Sequence, residues 1–209
     1  MTIQIVISLF IIVACNTPTN NERRTESSRR VQIRLVDSLG LVSLSVPIRY
    51  DTVFSWINHS DCGKPCDEQE YRCQPKTLAI TKESGFIWLG EPKDSVDRFT
   101  LSHSGYIRHR TEDTAIDSLR HKYLKLQIVN DPDNPVIVYD TIEKICDRYF
   151  SIFVMQRSDT IHNIRVLALT TIKGNEVKFR YDLLSKKDDM VEKSFIKNSL
   201  DLVHTIKIN

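Results

Sequence analysis

The chain has no apolar run long enough to cross a membrane as a helix. Its one long uncharged stretch, Ile3 to Ala14, is about a dozen residues against the roughly 20 that a span requires. It also lacks an excess of either charge, with 29 Lys and Arg against 27 Asp and Glu. No basic domain face is implied, and nucleic acid is not an expected partner. None of G-x-S-x-G, a Walker loop, H-E-x-x-H, C-x-x-C or C-x-x-C-H occurs. Internal repeats are absent, low complexity is confined to the polar stretch near the N-terminus, and no second domain boundary stands out. What remains is 209 residues, 41% hydrophobic and 27% charged, enough for one domain that buries a core.

The apolar run has the length of a signal-peptide core and ends Ile12-Val13-Ala14-Cys15, then turns polar at Asn16-Thr17-Pro18-Thr19-Asn20-Asn21. This resembles the lipobox of bacterial lipoproteins. The resemblance implies cleavage before Cys15 and acylation of that residue. No Lys or Arg precedes Cys15, so the α-amino group alone supplies the positive end of the signal. A buried Ile- and Val-rich strand or an ordinary secretory signal would also use such a run, but a polar tether after the cysteine suits an anchored domain and not a core strand. The expected division is a signal over 1–14, a lipidated Cys15 with a flexible tether over 15–30, and one domain over 31–209. The expected location is the cell envelope, facing the periplasm or exterior. The tether holds Arg23, Arg24, Arg29 and Arg30 against Glu22 and Glu26, which is the whole excess of the chain. Those arginines could touch anionic headgroups or simply be solvated.

With Cys15 assigned to lipid, Cys62, Cys66, Cys73 and Cys146 remain, an even number that an oxidising compartment could join as two disulfides in any of three pairings. Three of them lie between His59 and Cys73, where Gly63 and Pro65 predict a loop. His59, Cys62, Cys66 and Cys73 are ligand types that zinc or cuprous copper accepts, although their spacing matches no standard zinc site. Structural disulfides and a metal or thiol site are thus competing expectations for one loop. A Cys62 nucleophile paired with His59 has no oxyanion feature to support it. Asn58-His59-Ser60 fits the glycosylation triplet only formally.

Alternation predicts strands at Val31 to Val36 and Leu41 to Val46, the latter stopped by Pro47. Tyr50 to Ile57 follows, with Tyr50, Phe54 and Trp56 as an aromatic cluster. Short strands are expected at Thr77–Thr81, Phe86–Leu89 and Asp97–Ser102. Ile116, Leu119, Tyr123, Leu126 and Val129 recur at three and four, predicting one amphipathic helix near 113–129, capped by Asp113 or Thr114, with that stripe inward. Thr141–Ile145 and Tyr149–Gln156 should pair around Cys146, and Ile161–Ile172 reads as a central strand, apolar on both faces. Lys173-Gly174-Asn175-Glu176 signals a hairpin into Val177, Phe179, Tyr181 and Leu183. A second helix near 188–203, opened by Asp188 or Asp189, presents Phe195, Ile196, Leu200 and Val203. The sum is α+β, an antiparallel sheet of about seven to nine strands with two helices.

The strand Ser43-Leu44-Ser45-Val46-Pro47, and the C-terminal order of strand, hairpin, strand, helix and Thr205-Ile206-Lys207-Ile208, resembles the PsbP-like fold, which includes bacterial envelope lipoproteins. It covers the last third of the chain and one early strand. The resemblance implies a binding or assembly factor and transfers no functional residue. His103, His109, His121, His162 and His204 are scattered, and the acidic pair 188–189 reads as a helix start. The expectation is a non-enzymatic, membrane-anchored accessory protein with an envelope protein partner, no catalytic residues and no cofactor. The competing one is metal or thiol handling at His59, Cys62, Cys66 and Cys73.

Overall fold

The computed structural model describes residues 27–36, 39–80, 82–84, 87–89, 95–105, 115–131, 135–157, 162–185 and 190–209. The expected signal segment, Cys15 and all but the end of the tether lie outside these residues, as do the expected caps at 113–114 and 188–189.

The architecture is α+β, with strands dominating. Strands β1 (Ser28–Arg34), β2 (Leu41–Pro47) and β12 (Lys207–Ile208) form a three-stranded sheet in the order β1-β2-β12. A seven-stranded sheet contains β3 (Thr52–Asn58), β4 (Glu68–Gln74), β7 (Val96–Ser104), β8 (Val136–Ile145), β9 (Arg148–Arg157), β10 (His162–Ile172) and β11 (Asn175–Ser185), in the order β3-β4-β7-β11-β10-β9-β8. Every pairing in it is antiparallel. Strands β5 (Lys82–Ser84) and β6 (Ile87–Leu89) make a separate hairpin. The helices are α1 (Ser118–Val129) and α2 (Met190–Val203).

The expected antiparallel sheet of about seven to nine strands is present as the seven-stranded sheet, with two smaller sheets beside it. The split occurs where Pro47 ends β2. Tyr50 N donates to Pro47 O across a turn at Ile48-Arg49, and the chain leaves one sheet for the other. Tyr50, fully buried, pins this corner by donating its hydroxyl to Asp97 Oδ1 at 2.5 Å, while Arg49 holds both Asp97 oxygens at 2.6 and 3.0 Å. The first described strand begins before residue 31. Ser28 already pairs with Pro47, Arg29 Nε donates to Tyr50 O at 3.2 Å, and Arg30 Nε donates to Ser43 Oγ at 2.7 Å. Arg29 and Arg30, expected in a flexible tether, are thus held in the folded domain.

The turns follow from local chemistry. Lys173 and Gly174 both take positive φ, 49° and 73°, closing the β10–β11 hairpin in the register Ile172 to Asn175. Cys146, at φ 55°, turns β8 into β9. The expected strand at Thr77–Thr81 does not form through Ile80. Leu78 N donates to Pro75 O, and the Gln74 side-chain amide donates to both Leu78 O and Ala79 O, so local bonds take the groups a ladder would need.

The main core joins the two larger sheets and α2. Val42, Leu44 and Val46 from the small sheet, Phe99, Val166, Phe179 and Tyr181 from the large one, and Phe195 and Val203 from α2 lie in one buried cluster. The inward set Val177, Phe179, Tyr181 and Leu183 is buried as its alternation requires. β10 is apolar on both faces for a visible reason. Ile164, Val166 and Ala168 enter that cluster, while Leu169 and Leu167 join a second one under α1 with Leu124, Ile128, Phe153 and Met155.

α1 reverses its expected orientation. Leu119, Tyr123, Leu126 and Val129 are 77, 61, 53 and 50% exposed, and the side that packs carries Leu124, Ile128 and His121. Its cap is Asp117, which accepts from Arg120 N at 2.7 Å.

Candidate functional site

The cysteine loop occupies residues 59–67 between β3 and β4. Its backbone is tied by Gly63 N to Ser60 O (2.9 Å), Cys66 N to Gly63 O (2.9 Å) and Asp67 N to Lys64 O (3.2 Å), with a 3-10 turn over Lys64–Cys66. Asp67 anchors it from below. Its carboxylate accepts from Ser60 N at 3.0 Å and lies 3.0 Å from His59 Nδ1, and the Ser60 and His59 contacts hold it below the usual carboxylate range. Gly105, after β7, donates its N–H to Asp67 O at 2.6 Å; a Cβ there would stand 3.1 Å from Asp67 Cβ, so glycine permits the approach.

Cys62 and Cys66 form a disulfide across the turn, their Cα atoms 5.9 Å apart. The other two cysteines lie apart from it and from each other. Cys73 sits between Val53 and Phe99 in the register, fully buried in the main core, and burial pushes its thiol up to about 11. Cys146 is exposed at the β8–β9 turn, its thiol donating to Ile206 O at 3.7 Å. The expected ligand set of His59, Cys62, Cys66 and Cys73 is likewise not assembled. Cys73 lies five residues along an extended strand from Glu68, roughly 17 Å at the usual rise, and points into the core. Among the described residues no three of His, Cys, Asp and Glu gather as a metal site.

Sequence reasoning missed a charged face on the seven-stranded sheet, opposite the main core. Register aligns Trp56, Glu70 and Ser102 with Lys178, and Phe54, Arg72 and Thr100 with Arg180. Asp182 is its hub, with Arg165 Nε at 2.6 Å, Arg180 Nε at 3.0 Å and Arg98 Nε at 3.3 Å from its oxygens. Burial alone would raise the Asp182 pKa, but Arg180, Arg165 and Arg98 outweigh it and hold the carboxyl far below its ordinary range. Glu68 accepts from Ser102 Oγ at 2.8 Å and Lys178 Nζ at 3.2 Å. The Arg72 guanidinium lies 4.4 Å from the Trp56 ring centroid and 3.4 Å from Glu70, and burial with Arg98 nearby pushes it down to about 9. The visible sequence signal was charge at every second residue of β4 and β11, which reads as a solvated face until the strands are aligned.

The third locus is the outward face of α1. Arg120 Nη2 pairs with Glu176 at 2.9 Å, Lys125 Nζ with Asp140 at 3.0 Å, and the His121 ring stacks on Phe153 with centroids 4.7 Å apart. These contacts fix the helix about its axis, so Leu119, Tyr123, Leu126 and Val129 project to solvent with Lys122 among them. Beneath the end of α1 a cleft of about 220 Å³ runs from Ile128 over Met155 and Leu167 to Arg165.

No family model matches the chain, and no curated protein does. Among solved structures it is similar to the solution structure of cyanobacterial PsbP from Synechocystis sp. PCC 6803, at 10% identity and a TM-score of 0.49, over 92% of this chain and 98% of that one. A likeness of that size carries no argument about function.

Proposed function

We propose that the protein is a non-enzymatic envelope protein, lipid-anchored at Cys15, that acts as an accessory or assembly factor by binding a partner protein through the outward face of α1. The observation that carries this reading is the exposed stripe Leu119, Tyr123, Leu126 and Val129, four large apolar side chains half or more exposed on a single helix. A helix apolar on two faces is normally covered on both, and a contiguous exposed patch marks an interaction surface in an otherwise soluble domain. Anchors at spacings of four, three and three are how a helix presents itself to a complementary groove. Lys122 within the stripe adds a polar determinant of register.

The test is crosslinking in intact membranes followed by affinity purification, comparing the native chain with a Leu119→Ser/Leu126→Ser double variant. The expected result is a reproducible crosslinked protein in the native sample that disappears in the variant, with the thermal midpoint unchanged. No reproducible partner, or one retained by the variant, overturns the proposal.

A further inference from the structure

Independently of that reading, we infer that the Cys62–Cys66 disulfide is a thiol–disulfide exchange site that accepts electrons from thiol substrates, with Ser60 positioned to stabilise the departing Cys62 thiolate. Three observations carry this. First, access is open: Cys62, Cys66 and the flanking residues Ser60, Asp61, Gly63 and Lys64 are all exposed. Second, the bond is not needed to hold the loop. It joins residues only four apart, where chain-closure entropy gives a disulfide its smallest stabilisation. The turn is already held by three backbone hydrogen bonds and by Asp67, which is tied in turn to Gly105. Third, the surroundings favour a thiolate on one sulfur. Ser60 Oγ donates towards Cys62 Sγ at 3.6 Å, Lys64 lies in the same turn, and Asp67 holds the His59 ring at the loop's entry.

The step follows from this asymmetry. A substrate thiolate attacks Cys66 Sγ, the Cys66–Cys62 bond breaks, and its electron pair leaves on Cys62 Sγ, which accepts the Ser60 hydroxyl bond. The product is a mixed disulfide between the substrate and Cys66. A second substrate thiol, on the same molecule or another, gives up its proton and attacks the substrate sulfur of that mixed disulfide. Cys66 departs as a thiolate and is protonated. Two thiols become one disulfide, while Cys62 and Cys66 gain two electrons and two protons. A more oxidising disulfide reverses the sequence and restores the bond. Cys73 takes no part, being enclosed in the core with its thiol unionised at neutral pH.

The experiment treats the native folded protein with millimolar reduced glutathione in one arm and a reduced dithiol protein in the other. Samples are quenched by alkylation and read by mass, with circular dichroism in parallel. The expected result is two new alkylated thiols at positions 62 and 66 within minutes, an unchanged spectrum and an unlabelled Cys73. A faster dithiol arm assigns the substrate as a protein dithiol, and a comparable glutathione arm assigns small thiols. An early acid quench of the native protein should find the mixed disulfide on Cys66 rather than on Cys62, read by peptide mapping. Ser60→Ala should slow exchange several-fold at neutral pH and, in reoxidation of the reduced protein by oxidised glutathione, where Cys62 becomes the attacking thiolate, move the pH–rate profile to higher pH. A bond that resists millimolar thiol in the folded protein, reduction that occurs only with loss of the folded spectrum, or a Ser60→Ala profile identical to native would each overturn the inference.

Discussion

Asp182 shows how much one side chain can organise when it is buried at a strand crossing. Its carboxylate meets Arg98, Arg165 and Arg180 at once, with 8% of the side chain accessible. Asp182→Asn would keep the volume and leave three guanidinium groups around a neutral amide. The expected loss is about 3–5 kcal/mol in a urea titration, because removing one partner leaves charge buried and uncompensated. The pH dependence has a definite sign. The folded pKa lies below the unfolded value of about 4, so the stabilisation is complete above that pH and is lost as pH falls through and below it. The native protein should lose stability steeply in that acid range and the variant less so; equal slopes would show that Asp182 is not the hub. None of this was legible residue by residue. Glu68-Gln69-Glu70-Tyr71-Arg72-Cys73-Gln74 has weak strand propensity, so nearness in sequence alone places Cys73 with the loop cysteines. Strand alternation turned it into the core and turned Glu70 and Arg72 into the ion network.

At the scale of elements, α1 and α2 separate what periodicity can and cannot decide. The α2 stripe packs as read, with Phe195 and Val203 buried and Ile196 and Leu200 partly so, since its other face is polar. On α1 the stripe at three and four is real but lies outward. Two apolar sets compete there, and the choice is made by Glu176, Asp140 and Phe153, which are distant in sequence. Leu124→Ala should cost about 2–3 kcal/mol, whereas Leu119→Ala and Leu126→Ala should each stay within about 0.5 kcal/mol in chemical denaturation. The reverse order would place the stripe inside after all. The hairpins were the legible elements, because Lys173-Gly174 and the turn at Cys146 state their geometry locally. Gly40 carries a similar constraint that spacing could not reveal. It has φ 124°, and a Cβ there would strike Asn209 O, the group that accepts from Leu41 N. Gly40→Ala should therefore lower stability by about 1–3 kcal/mol and loosen the C-terminus, read as faster amide exchange at Leu41 and Asn209.

Over the whole molecule, the first and last strands flank β2 in one small sheet, so the chain's two described ends are held on the same side of the core. β1 starts at Ser28 and Ser27 O accepts from Ile48 N, so the tether proposed behind Cys15 would be residues 16–26. If flexible, a segment of that length would span roughly 20 Å and keep the domain beside the membrane the proposal requires. Arg29 and Arg30 are committed to Tyr50 O and Ser43 Oγ, so on that proposal Arg23 and Arg24 would be the cations left for anionic headgroups. Two such residues supply about 2 kcal/mol near a charged surface, too little to retain the protein without acyl chains. On the proposed anchor, Cys15→Ser should move the protein from the membrane to the soluble fraction. The native membrane form should have an intact mass above that of the polypeptide from Cys15, by the weight of its acyl groups. A native mass equal to the bare polypeptide, or a Cys15→Ser protein that stays in the membrane at high salt, would refute the anchor and leave the α1 face to account for membrane association.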